Sequence, residues 1–118
     1  MVDMVSDAYV TIEVSNVARA VKFYTKVLGL KLVKKYDEYW ADIKAPGLWI
    51  GLHLDHEDGP KKKSSGNMSI GFTARDIDKA ATALQKKGIK IKVEDLEWGR
   101  YAGFKDPDGT ELYFWESA

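Results

Sequence analysis

Apolar and polar positions alternate through residues 9–14, with Val10, Ile12 and Val14 on one side and Tyr9, Thr11 and Glu13 on the other. A period of two residues predicts a strand. Ser15 and Asn16 follow as helix-capping side chains, and Val17, Val21, Tyr24, Val27 and Leu28 then recur at helical spacing until Gly29. Glycine suits the left-handed position that ends a helix. The same order then repeats. Residues 69–74 alternate, Arg75-Asp76 caps, Ile77, Ala80, Ala81 and Leu84 form a second stripe, and Gly88 closes it. After the helices, residues 30–33 match residues 89–92, and middle strands are expected near 39–44 and 100–105. The turn Ala45-Pro46-Gly47 leads into residues 48–54, and the turn Asp106-Pro107-Asp108-Gly109 leads into residues 110–115. Proline and Asp-Gly favour turns through their backbone geometry. Residues 55–67 are polar and rich in Gly, Ser and Lys, which reads as a linker.

The pattern predicts an α+β fold in one domain, 1–118, made of two βαβββ modules at about 8–54 and 68–116. Together they are expected to form a cupped mixed sheet, because a twisted sheet covered on one face curls about the other. Strand alternation assigns Val10, Ile12, Val14, Leu48, Ile50, Leu52, Leu54, Ile70, Phe72, Ala74, Leu112 and Phe114 to the face under the helices. The opposite face carries Tyr9, Thr11 and Glu13, then Trp49, Gly51 and His53, then Ser69, Gly71 and Thr73, then Glu111, Tyr113 and Trp115. Aromatic rings with sparse polar groups are the usual lining of a small-molecule pocket. The competing readings are a solvated face or a subunit contact.

Composition narrows the function classes. Among 118 residues, 18 Lys+Arg balance 18 Asp+Glu, which gives no electrostatic reason to bind nucleic acid or an anionic membrane. The absence of cysteine removes disulfides, thiolate metal sites and a cysteine nucleophile. Residues 1–7 lack a basic residue and do not read as a signal peptide. A cytoplasmic protein is the expectation.

Individual side chains offer sharper chemistry. Glu13 in an aromatic pocket would act as a base through its raised proton affinity; at the rim it is solvated or paired with a lysine. His53 would exchange a proton near neutral pH, or only hydrogen-bond. His53 and His56 are three residues apart, which sends strand side chains to opposite faces and argues against a shared metal. Tyr9, Trp49, Tyr113 and Trp115, with Trp40 and Trp98 on neighbouring elements, offer stacking surfaces for planar ligands or cations. Arg100 is either a partner for an anionic ligand group or an ordinary surface arginine. Lys61-Lys62-Lys63 reads as a solvated loop.

The segment 14–24, Val-Ser-Asn-Val-Ala-Arg-Ala-Val-Lys-Phe-Tyr, followed by Val27-Leu28-Gly29-Leu30, resembles the first-helix signature of the vicinal oxygen chelate superfamily. This group includes glyoxalase I, extradiol dioxygenases, and fosfomycin- and bleomycin-resistance proteins. Residues 104–111, Phe-Lys-Asp-Pro-Asp-Gly-Thr-Glu, resemble its second signature, and the likeness covers about residues 8–116. The resemblance implies a homodimer. It also places the family's metal-ligand positions at Tyr9, Gly51, Ser69 and Tyr113, none of which is a usual ligand for such an ion. Glu111, two residues from Tyr113 on the same face, would restore only one carboxylate under a shifted register. The expectation is therefore a metal-free protein without a cofactor that binds a small planar or amphipathic molecule through Tyr9, Thr11, Trp49, Gly51, Ser69, Arg100, Tyr113 and Trp115. The alternative is a lactoylglutathione lyase-like isomerase or lyase acting on a carbonyl compound, with Glu13 or His53 moving the proton.

Overall fold

The computed structural model describes residues 4, 5, 7–54 and 68–118. The expected linker, His56 and the lysine run 61–63 lie outside them. The chain divides into two compact units, residues 1–61 and 62–118, and each carries one of the two repeats.

The first unit contains β1 (Tyr9–Val14), α1 (Val17–Lys22) running on into a π-helical turn (Phe23–Val27), β2 (Lys31–Tyr36), β3 (Trp40–Ala45) and β4 (Leu48–Leu54). Its sheet has the order β1-β4-β3-β2. β1 runs parallel to β4, and the other pairs are antiparallel. One face supplies the core: Val14, Ala41, Ile43, Ala45, Ile50 and Leu52 are buried, and α1 packs over β3 and β4 with Val17 and Ala20 inward. Full burial of each Ile or Leu side chain stabilises the fold by about 1.5–3 kcal/mol. The side chain of Asn16 caps the helix, its Oδ1 accepting from the Arg19 amide at 2.9 Å.

The sequence pattern predicts one uninterrupted helix up to Gly29, but the last turn is wider. The Leu28 amide donates to the Phe23 carbonyl at 3.1 Å, five residues back. The Thr25 hydroxyl donates to the Val21 carbonyl at 2.7 Å, competing with the regular ladder. The widened turn buries Phe23 beside Tyr24, and Ala20 of α1 is buried as well, although the apolar stripe omits both Phe23 and Ala20.

The second unit contains β5 (Ile70–Thr73), α2 (Ile77–Lys86), β6 (Lys92–Leu96), β7 (Gly99–Lys105) and β8 (Glu111–Ser117). Its order is β5-β8-β7-β6, again with one parallel pair, β5 to β8. Asp76 caps α2 by accepting from the Lys79 amide at 3.1 Å, and Ile77, Ala81 and Leu84 are buried. The strand expected at 89–92 instead begins at Lys92. Residues 89–91 are tied back to the helix, through the Ile89 amide to the Leu84 carbonyl at 3.0 Å and Gln85 Nε2 to the Ile91 carbonyl at 2.9 Å. In the second signature, Asp106 is a turn-former. It is buried, and its Oδ1 accepts from the amides of Asp108 and Thr110 at 2.9 and 2.8 Å. Among the described residues, no helix is long and apolar enough to cross a membrane.

Candidate ligand-binding site

On the face of the first sheet away from α1, strand register sets out three rows of side chains. Tyr9, Trp49, Lys44 and Lys31 form the first; Thr11, Gly51, Asp42 and Lys34 the second; Glu13, His53, Trp40 and Tyr36 the third. Gly51 at the centre determines what happens around it. Because it has no side chain, the Trp40 indole lies across it, and a Cβ at that position would sit 2.5 Å from Trp40 Cζ2. Trp40 Nε1 donates to Asp42 Oδ1 at 2.6 Å, which fixes the ring's orientation. A cavity of about 600 Å³ opens above, lined among the described residues by Tyr9, Tyr36, Trp40 and Trp49, by the carboxylates Asp7 and Asp42, and by Gly51 in its floor. Small-molecule sites share this size and balance. Lys44 Nζ stands 4.6 Å from the Trp49 ring centroid and Lys34 Nζ 4.4 Å from that of Tyr36.

Glu13 and His53 lie directly opposite each other on β1 and β4. Both are half-buried, and Glu13 Oε2 is shut off from solvent. The His53 ring is 5.5 Å from that of Trp40, so the pair borders the aromatic floor without lining the cavity. Thr11, opposite Gly51, is exposed.

The corresponding face of the second unit is paved in the same manner with different residues. Its rows read Gly71, Tyr113, Gly103 and Lys92, then Thr73, Trp115, Tyr101 and Glu94. The Tyr113 ring covers Gly71, and Trp115 covers Gly99. Tyr101 and Tyr113 stack at 5.3 Å and 29°. Ser69 lines a separate cavity with Tyr101, Lys90, Lys105 and Glu111.

Arg100 is placed elsewhere. It shares strand parity with the buried Ala102 and Phe104, on the helix side of β7. There it grips Asp78 of α2 bidentately, at 2.6 and 3.0 Å, and donates to Asp95 Oδ1 at 2.7 Å. Glu116 lies 3.9 Å away. The guanidinium's hydrogen bonds hold the Asp78 carboxyl below its ordinary value, and those to Asp78 and Asp95 push Arg100 upward. Arg100 thus pins a helix to its sheet and does not join Tyr113 and Trp115. Trp98, expected near the aromatic face, is 75% exposed between β6 and β7.

The family's metal is not accommodated at the corresponding positions. Tyr9 is 68% exposed, Gly51 offers no donor and is roofed by an indole, and the Tyr113 ring is laid over Gly71. Among the described residues, no three His, Cys, Asp or Glu side chains gather as a metal site would need. Three cavity residues escape the sequence reading: Asp7, Tyr36 and Asp42. The signal for Asp42 is present, because Trp40, Asp42 and Lys44 alternate with Ala41, Ile43 and Ala45 as cleanly as any strand in the chain. Nothing local marks Asp7.

Residues 8–114 match the model of the Glyoxalase/Bleomycin resistance protein/Dioxygenase superfamily. The glutathione transferase FosA of Serratia marcescens is 24% identical over 107 residues, 88% of this chain and 75% of that protein. TnmS3, an antibiotic binding protein from Streptomyces sp. CB03234, has a similar structure, with a TM-score of 0.81 at 22% identity over 98% of this chain and 99% of that one. A superfamily member from Sphaerobacter thermophilus DSM 20745 gives a TM-score of 0.78 at 28% identity, over 97% and 99% of the two chains. The repeated βαβββ units, the paired signatures and the match over residues 8–114 make the chain a member of the glyoxalase/bleomycin resistance protein/dioxygenase superfamily.

Proposed function

We propose that this protein binds a small planar or amphipathic molecule on the aromatic floor of its first unit, without a metal ion. The carrying observation is the indole of Trp40 lying across Gly51, in a cavity of about 600 Å³ that Trp49, Tyr9 and Tyr36 also line. Aromatic side chains gathered around one cavity offer the surfaces that stacking of a planar ligand needs. TnmS3 binds an antibiotic on the same fold, which supports the reading by analogy. Trp49→Ala is expected to weaken binding of a planar aromatic probe about tenfold or more, equivalent to about 1.4 kcal/mol, measured by titration calorimetry. A panel of planar molecules that leaves heat and tryptophan emission unchanged would sink the proposal.

A second reading is favoured by the register that sets Glu13 opposite His53. Neighbouring strands place such partners about 5 Å apart, and this reading requires a carbonyl compound that reaches past the cavity wall to the pair at its border. An isomerase or lyase of that kind loses turnover in Glu13→Gln while still binding. A binding protein shows no turnover before or after the change.

A further inference from the structure

We infer that the ligand of the first-unit cavity is a cation, a planar aromatic or aryl ammonium compound whose positive charge settles between the aromatic walls and Asp42. The inference rests on the binding reading above and adds the charge of the ligand. Two groups of observations carry it. First, among the described residues the charged side chains lining the cavity are Asp7 and Asp42, and the other lining residues are Tyr9, Tyr36, Trp40, Trp49 and Gly51. Aromatic faces joined to a carboxylate favour cations, because ring quadrupole and carboxylate act with the same sign. Asp42 is half-buried, and its described partner is the neutral indole N–H of Trp40. A hydrogen bond from a neutral donor orients the carboxylate but leaves its charge uncompensated.

Second, the chain's own lysines already show what these rings attract. Lys34 is the cross-strand neighbour of Asp42, yet its ammonium stands over Tyr36. Lys44, one row away, stands over Trp49. Each ring therefore holds an internal cation on one face. A ligand cation competes with these ammonium groups, whereas a ligand anion would recruit them. The two ligand charges thus predict opposite responses to removing Lys44.

The repeat offers an internal comparison. Asp42 pairs with Gly51 in the first unit, and the matching residue that pairs with Tyr113 in the second is Gly103. That unit keeps the aromatic paving but has no carboxylate in the place of Asp42, and its nearby cavity carries Lys90 and Lys105 beside Glu111.

The test titrates the intact chain by calorimetry with three probes of similar outline: N-methylquinolinium (cation), quinoline in its neutral form, and naphthoate (anion). The cation is expected to bind best. Asp42→Asn, which keeps an acceptor for Trp40, should weaken the cation about tenfold, the scale of a lost charge contact in a partly desolvated site. The same change should leave quinoline within about twofold, since a neutral ligand gains little from the carboxylate. Lys44→Met should tighten the cation. Equal binding of quinoline, a preference for naphthoate, or weaker cation binding in Lys44→Met would overturn the inference. Quinoline binding that Trp49→Ala abolishes would leave the binding reading intact while the cation claim falls. Failure of all three probes would remove both.

Discussion

At the scale of single residues, the inner faces are shaped by glycines as much as by the rings above them. Gly51 and Gly71 are chosen for what lies over them, since neither adopts a backbone angle that demands glycine. A methyl group at position 51 meets Trp40 within van der Waals distance, and the indole must lift from the sheet. Overpacking of this kind costs about 1–3 kcal/mol. Gly51→Ala should therefore lower the urea midpoint, and lifting Trp40 should also reduce the near-ultraviolet dichroism and probe affinity. A variant with unchanged stability and dichroism would mean that the ring does not depend on that floor. The sequence announced the aromatic residues and their parity but not this arrangement. Which ring covers which glycine depends on cross-strand register, and alternation alone leaves register open.

At the scale of elements, helices were read from the sequence more accurately than the ends of strands. Asn16 and Asp76 both cap as expected, because a side-chain oxygen ahead of an apolar stripe has a single local task. Ile89 and Ile91 have the residue type of a strand, but the Leu84 carbonyl and the Gln85 side chain of α2 take their backbone hydrogen bonds, so β6 begins only at Lys92. For Arg100, read as either a ligand partner or a surface arginine, parity with Ala102 and Phe104 places it on the helix side of β7. Its grip on Asp78 has a pH signature. The folded state holds that carboxyl below its ordinary value, so the pair stabilises at neutral pH and is lost as acid protonates Asp78. Asp78→Asn should thus be less stable than the parent at neutral pH, and the two should converge in acid. Parallel stability curves across that range would show that the contact contributes nothing.

At the scale of the whole molecule, the duplication was the most legible feature, since strand, cap, helix, glycine and turn recur in one order. What the repeat could not reveal was how far its two inner faces had diverged. Asp42 against Gly103, Trp49 against Glu111 and Tyr36 against Glu94 are exchanges on a conserved plan. From that divergence we expect one cationic probe per chain at saturation. We also propose that the particle is a homodimer, with a sedimentation mass twice that of the chain. Two probes per chain would show that the second face binds the cation without a carboxylate in the place of Asp42, and a mass of one chain would remove the dimer.

The paving of rings on glycine also bears on how such a protein changes over generations. Core residues such as Ile43, Ile50 and Leu52 project from one side of the sheet and the paving from the other. Exchanging Trp40 for another flat ring alters what the floor recognises and leaves those core contacts in place. Selection can therefore retune the ligand face ring by ring while the scaffold stays intact, and a library confined to positions 9, 36, 40 and 49 should yield new specificities without many unfolded members.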